Sequence, residues 1–83
     1  MKKVLLDVRS EGEFEINGLE NSINIPHTEL TRRINELSKN DENLVYCRSG
    51  VRAEKARYVL SLMGFIAKNI GTVQDAREIA RSG

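Results

Sequence analysis

Short apolar runs alternate with stretches of helical periodicity along this 83-residue chain. That alternation predicts an α/β domain built on a mainly parallel sheet. Leu44-Val45-Tyr46-Cys47 strengthens the prediction, being a continuous apolar run rich in β-formers and suited to a central strand buried on both faces. No linker, repeat or low-complexity segment divides the chain, so residues 1–83 read as one domain with one compact core.

Taken in order, Val4 to Val8 reads as a strand running into a loop. Ser10 followed by Glu13 fits a capping box, which predicts a short helical turn from Glu11 to Ile16 anchored by Phe14 and broken by Asn17-Gly18. Ile23-Asn24-Ile25 reads as a brief second strand, stopped by Pro26, which has no N–H to offer a ladder. Leu30, Ile34 and Leu37 then recur at i, i+4 and i+7, predicting an amphipathic helix from about Thr28 to Ser38.

The polar cluster Lys39 to Asn43 closes that segment, and the Leu44–Cys47 strand follows. Ala56, Val59, Leu60 and Met63 share one face of a helix expected over Ala53 to Met63, with Gly64 and Phe65 forming a left-handed cap and its apolar contact. Ile66 to Ile70 reads as a last strand turned by Gly71, and Val73, Ala76 and Ile79 mark one side of a terminal helix.

Thirteen basic residues against twelve acidic ones leave a net charge of +1. Such a balance argues against nucleic acid or an anionic membrane as a partner, and any positive potential must be local. Met1-Lys2-Lys3 starts like a signal peptide, but Asp7 and Arg9 interrupt the apolar run almost at once, so a cytoplasmic location is expected. No stretch approaches the roughly 20 apolar residues of a membrane span.

The lone cysteine, Cys47, cannot form an internal disulfide, and the lone histidine, His27, lies twenty residues away, so no metal site is expected. A buried cysteine ending an apolar strand is commonly core filler. The residues after it argue otherwise, because Arg48, Ser49, Gly50, Val51 and Arg52 include two cations, a hydroxyl and a glycine, which are poor core material. A strand ending in cysteine, then a tight loop, then a helix start makes a cradle of inward-facing amides that favours a thiolate. Gly50 allows a positive φ within that loop, Arg52 stands where its guanidinium folds over an anion, and Arg48 adds charge at the rim.

Tyr46-Cys47-Arg48-Ser49-Gly50-Val51-Arg52, preceded by Leu6-Asp7-Val8-Arg9, Glu13-Phe14 and Ile23-Asn24-Ile25-Pro26, resembles a single-domain rhodanese, a sulfurtransferase module. The likeness runs from about Val4 to Gly71, with four motifs in order. It implies a minimal rhodanese-like α/β fold, a mainly parallel sheet of four to five strands flanked by helices. Because the chain enters at Val4, where many relatives carry an earlier strand and helix, four core strands are expected. The resemblance further implies that Cys47 takes a sulfane sulfur from an anionic donor such as thiosulfate, becomes a persulfide, and passes the sulfur to cyanide or a thiol in a ping-pong scheme without a cofactor. A second reading keeps the persulfide but makes the domain a carrier or relay that docks onto a cysteine desulfurase or a sulfur-accepting protein.

In this family likeness Asp7 and Arg9 buttress the loop rather than react. Protein tyrosine phosphatases and rhodanese-fold cell-cycle phosphatases share a cysteine-to-arginine cradle, but theirs is one residue longer, and they have a histidine where this chain has Tyr46. The six-residue loop from Cys47 to Arg52 therefore suits sulfur better than phosphate. Glu13 is read as a capping residue and His27 as a loop residue, neither of them catalytic. Arg32 and Arg33 are expected to pair with Glu29 and Glu36, and Lys55 and Arg57 to be solvated. Relatives commonly carry Gly-His-Ile where this chain has Asn17-Gly18-Leu19, which focuses attention on packing near Phe14.

Overall fold

In the computed structural model, which describes residues 1–82, four strands form one parallel sheet in the order β2-β1-β3-β4. The strands are β1 (Lys3–Asp7), β2 (Ser22–Asn24), β3 (Glu42–Cys47) and β4 (Ile66–Thr72), and the helices are α1 (Glu11–Asn17), α2 (Val51–Leu62) and α3 (Val73–Ser82). The expected α/β architecture and the four strands are both present.

The apolar pattern of β3 explains its central place, since Leu44 through Cys47 are all buried. Alternate residues along β3 serve opposite faces. Val45 and Cys47 join Leu6, Val8, Ile25 and Leu30 beneath Ala53, Ala56 and Leu60 of α2. Tyr46 faces the other way, packing with Val73 and Ala76 of α3 and with the half-buried Leu5, Leu19 and Ile70. The two alanines let α2 approach the sheet closely at the end of β3 where Cys47 sits.

The capping box of α1 is complete: Glu13 N–H donates to Ser10 Oγ at 3.2 Å, and Ser10 N–H donates to Glu13 Oε1 at 3.0 Å. Phe14 is only half-buried rather than a core anchor, and its ring lies against Gly18, where a Cβ would collide with it. Only a glycine there leaves the ring its space.

The helix expected over Thr28–Ser38 does not form. Two single 3-10 turns, His27–Glu29 and Ile34–Glu36, stand in its place, and Leu37 ends the segment in extended backbone at φ −111° and ψ 157°. Leu30 still reaches the core, with Ile34 and Leu37 packed at its margin, so the apolar spacing is satisfied without a helix. Thr28, Thr31, Ile34 and Asn35 are weak helix formers, and the core contacts outweigh the missing helical turns. The expected pairs do form, with Arg33 2.7 Å from Glu36 and Arg32 bonded to Glu29.

Helix α2 starts at Val51, two residues before the expected Ala53, because Gly50 takes φ 90° and serves as its N-cap. At its far end Gly64 has φ 87° and Phe65 N–H donates to Leu60 O at 2.9 Å, the left-handed cap expected from Gly64-Phe65. Met63 is more exposed than its helical face implied.

Strand β4 runs through to Thr72 instead of stopping at Ile70. Val45 pairs with Asn69 but Tyr46 pairs with Gly71, so Ile70 is an extra, bulged residue. Gly71 follows at φ 96°, its N–H held by Asn69 Oδ1 at 2.9 Å. Val73 and Ala76 of α3 are buried as expected, whereas Ile79 is exposed.

Candidate active site

All parallel strands present their C-terminal ends at one edge of a sheet, and there β3 delivers Cys47. The thiol is buried, and its Sγ accepts the N–H of Gly50 at 3.0 Å and of Ala53 at 3.4 Å. One donor comes from the loop, the other from the first turn of α2, where an amide has no helical carbonyl to bond. The positive end of α2 therefore points at the sulfur. Gly50 has room for a side chain, since the nearest atom to a Cβ added there would be Gly71 Cα at 3.8 Å. Its requirement for glycine is conformational, set by the positive φ that turns the amide toward Sγ.

Arg48 and Ser49 are exposed at the top of the loop, and Val51 is 60% exposed. Arg52 is not folded over the thiol as its spacing suggested. Its Nη1 and Nη2 donate to Glu13 Oε1 and Oε2 at 2.7 and 2.9 Å. The capping carboxylate of α1 thereby clamps the cation, because a carboxylate accepts a guanidinium in bidentate geometry better than a single sulfur does. The Arg52 hydrogen bonds, followed by the Ser10 amide, hold the Glu13 carboxyl far below the usual carboxylate range. Arg52 in turn is raised above the ordinary arginine value, chiefly by Glu13.

Asp7 and Arg9 lie at the end of the neighbouring strand, 0% and 4% exposed. Arg9 Nη2 donates to Asp7 Oδ2 at 2.7 Å and Nε to Oδ1 at 3.0 Å, while the Arg9 amide donates to Oδ1 at 2.9 Å. Arg9 Nη1 reaches Asn17 Oδ1 at 2.6 Å, tying β1 to the end of α1. These are not solvated strand-exit charges. A buried guanidinium held by this many partners is a fixed strut.

Sequence reasoning passed over three contributors. Tyr46 buries its ring under α3 and shares a 2.9 Å hydrogen bond between its hydroxyl and Ser22 Oγ, with Leu19 N–H donating to it at 3.3 Å. Burial is the main cause that raises its pKa. Asn69 bridges the loop to β4, its Nδ2 donating to Gly50 O at 3.1 Å and its Oδ1 accepting from Gly71. Arg77 belongs to α3 and lines a cleft beside the loop. Only the proximity of Asn69 to Gly71 left a trace in the sequence; the other two depend on how the helices pack.

Two open clefts flank the loop. One, about 920 Å³, is lined by Ser49, Gly50, Val51, Lys55, Tyr58 and Ile70. The other, about 530 Å³, lies between α1 and α3 and is lined by Arg48, Arg77, Arg9, Glu13, Ile16 and Val73. Lys55 is exposed as expected, but Arg57 is paired with Glu54 at 2.6 Å. His27 bonds through its backbone to Val8 O and lines neither cleft. No helix among the described residues is long and apolar enough to cross a membrane.

Known proteins share this sequence pattern and fold. The rhodanese-like domain family model matches residues 1–75. The putative sulfur carrier protein YrkF of Bacillus subtilis is 38% identical over 74 residues, which cover 89% of this chain; the chain spans 40% of that longer protein. The thiosulfate sulfurtransferase PspE of Escherichia coli is 34% identical over 73 residues, covering 84% of this chain and 70% of that protein. A solved structure described as a rhodanese with anions from E. coli superposes with a TM-score of 0.80 at 33% identity, covering 88% of this chain and 89% of its own. With the cysteine loop, the parallel sheet and the family match in agreement, this chain belongs to the rhodanese-like domain family of sulfurtransferases and sulfur carriers.

Proposed function

We propose that this domain, taken as a single unit over residues 1–83, transfers sulfane sulfur through a persulfide on Cys47. The observation that carries the reading is the pair of N–H groups, from Gly50 and Ala53, already directed at Cys47 Sγ. In the first half-reaction the Cys47 thiolate attacks the outer sulfur of thiosulfate. The Sγ–S bond forms, the S–S bond within the donor breaks, and its electron pair leaves with sulfite. Sulfite departs as a stable anion, so the step needs no general acid.

The charge now sits on the terminal sulfur of the persulfide, where the loop amides and the start of α2 stabilise it. In the second half-reaction cyanide or a thiolate attacks that sulfur, the persulfide bond breaks, and the thiolate of Cys47 is restored. Two half-reactions with a covalent intermediate make a ping-pong scheme. Arg48, Ser49, Gly50, Val51 and Arg52 form the anion loop in this proposal, with Arg52 fixing its outer turn to α1 through Glu13. Asp7 and Arg9 support the loop from β1. A reducing cytoplasm suits a lone reactive thiol that must return to its thiolate.

Incubation with thiosulfate, followed by intact-mass measurement without reductant, tests the proposal. The mass should rise by one sulfur atom, and cyanide should then release thiocyanate and reverse the gain. An unchanged wild-type mass would end the thiosulfate reading. A relay reading has its own support in the similarity to the putative sulfur carrier YrkF. Loading from a cysteine desulfurase far faster than from thiosulfate would select the relay, and the reverse preference would select the free-standing enzyme.

A further inference from the structure

The walls of the cleft between α1 and α3 carry two arginines, Arg48 and Arg77, that no carboxylate pairs with among the described residues. The other charged groups in the same walls are already occupied. Arg9 is neutralised by Asp7, and Glu13 by Arg52. Arg77 makes only a 3.0 Å hydrogen bond to Gln74 Oε1, on its own helix. Of the acidic residues on α3, Asp75 has its carboxylate engaged by Thr72 as a cap, and Glu78 accepts from Gln74 Nε2 at 2.9 Å and lies 3.5 Å from Arg81.

Two uncompensated positive charges therefore face one cleft in a chain whose net charge is only +1. The first turn of α3, Val73 and Gln74, forms part of the same wall and adds the positive end of a helix. Pockets for organic molecules run from about 300 to 1,000 Å³, and this open cleft, at about 530 Å³, has room for one. Ile16, 84% exposed, and Val73 supply apolar surface for a carbon body.

We propose that this cleft binds an organic thiol carrying two carboxylates, which accepts the sulfur from Cys47, and that Arg48 and Arg77 hold its carboxylates. Arg48 adjoins Cys47 in the chain, so the bound molecule lies beside the loop that holds the persulfide. The acceptor's thiolate attacks the terminal sulfur of the Cys47 persulfide. A new S–S bond forms on the acceptor, the bond to Cys47 Sγ breaks, and its electron pair regenerates the cysteine thiolate. No outside oxidant or reductant enters. The assignment rests on the sulfur-transfer reading for its chemistry, but its binding half stands separately.

Mercaptosuccinate and 2-mercaptoethanol are the probes, one thiol with two carboxylates and one with none. Acceptor kinetics on the sulfur-loaded protein should give a KM for mercaptosuccinate at least tenfold lower than for 2-mercaptoethanol. Arg77→Ala should raise the mercaptosuccinate KM about tenfold, the usual cost of one charge-assisted hydrogen bond, while leaving kcat and the 2-mercaptoethanol reaction unchanged. Equal KM values for the two thiols in the wild type, or an Arg77→Ala effect on both alike, would overturn the proposal.

Backbone NMR provides a readout that needs no turnover. Succinate titrated into the unloaded protein should shift the amides of Thr72–Arg77 and of Glu13–Asn17, and Arg77→Ala should abolish those shifts. If thiosulfate fails to load Cys47 yet succinate still shifts these amides, the sulfur donor was misassigned and the cleft was not. Loading without any succinate shift would remove the cleft and leave the transfer reading intact.

Discussion

Strand β1 pairs along its whole length with β3 and the two end at the same edge of the sheet, yet the turns that follow them are built on opposite principles. After β1, Asp7 and Arg9 bury a charged pair in which the carboxylate accepts four hydrogen bonds, three from the guanidinium and one from the Arg9 amide. After β3, Cys47 presents one buried sulfur to two amides, with a helix start behind it and no side-chain partner. Saturation makes the first turn a frame, because every polar group there would lose a bond by moving. The second turn keeps capacity in reserve, and that capacity is what a charged sulfur intermediate uses. Reactivity and rigidity are divided between adjacent strand ends.

Cys47→Ser breaks the reactive side of this comparison outright. Sulfur loading from any donor should vanish, since a hydroxyl forms no persulfide, and mass spectrometry would register no adduct. An adduct persisting in the variant would move the chemistry away from the only thiol in the chain.

Asp7→Ala attacks the frame. It leaves the Arg9 guanidinium buried without its carboxylate, which typically costs about 3–5 kcal/mol, and urea unfolding should show a loss of that size. The double variant Asp7→Leu with Arg9→Met should recover much of it, because removing both charges relieves the desolvation that removing one exposes. A double variant as unstable as the single one would mean that the pair does more than neutralise itself.

Gly50→Ala probes the reactive turn without deleting a group. The space for a methyl exists, so the cost is the left-handed backbone, about 1–2 kcal/mol, at φ 90°. Relaxing that φ would swing the Gly50 amide off Sγ, and the loading rate should fall by roughly tenfold for about 1.4 kcal/mol of lost alignment. Unchanged loading kinetics would show that the Ala53 amide alone suffices.

Glu13→Gln should give the smallest effect. The Arg52 and Glu13 side chains are 29% and 31% exposed, and such pairs contribute under about 1 kcal/mol. Glu13 has its carboxyl lowered in the folded protein, so its contribution is present above the ordinary carboxylate value and is lost as acid protonates it. Denaturation at pH 7 should therefore separate wild type from variant slightly, and the gap should close as pH falls below about 4. A gap that widens in acid would reverse the assigned sign.

Local rules made most of the frame readable. Ser10 and Glu13 announce α1 through their spacing, Gly64 announces the end of α2, and the buried run of β3 announces its central position. The same logic failed at Thr28–Ser38, where apolar residues at helical spacing also fit two successive turns, and only the shape of the core under Leu30 chose between them. The bulge at Ile70 was similarly hidden, since a strand with an extra residue has the same composition as one without. At the site, the cysteine loop was legible because its residues are contiguous. Arg52 was placed over the sulfur on proximity in sequence, but Glu13, thirty-nine residues away, is the better partner for a guanidinium.

Periodicity, backbone freedom and short-range spacing are written in the linear chain, and from them follow the parallel α/β class, the glycine-capped loop after a buried strand, and the thiol within it. Which charges are spent and which remain was settled only by folding. Arg9 and Arg52 are consumed by carboxylates that the fold holds against them, whereas Arg48 and Arg77 meet across a cleft formed by two helices that are distant in sequence. Electrostatic pairing depends on distance in space, and the order of residues does not record that distance.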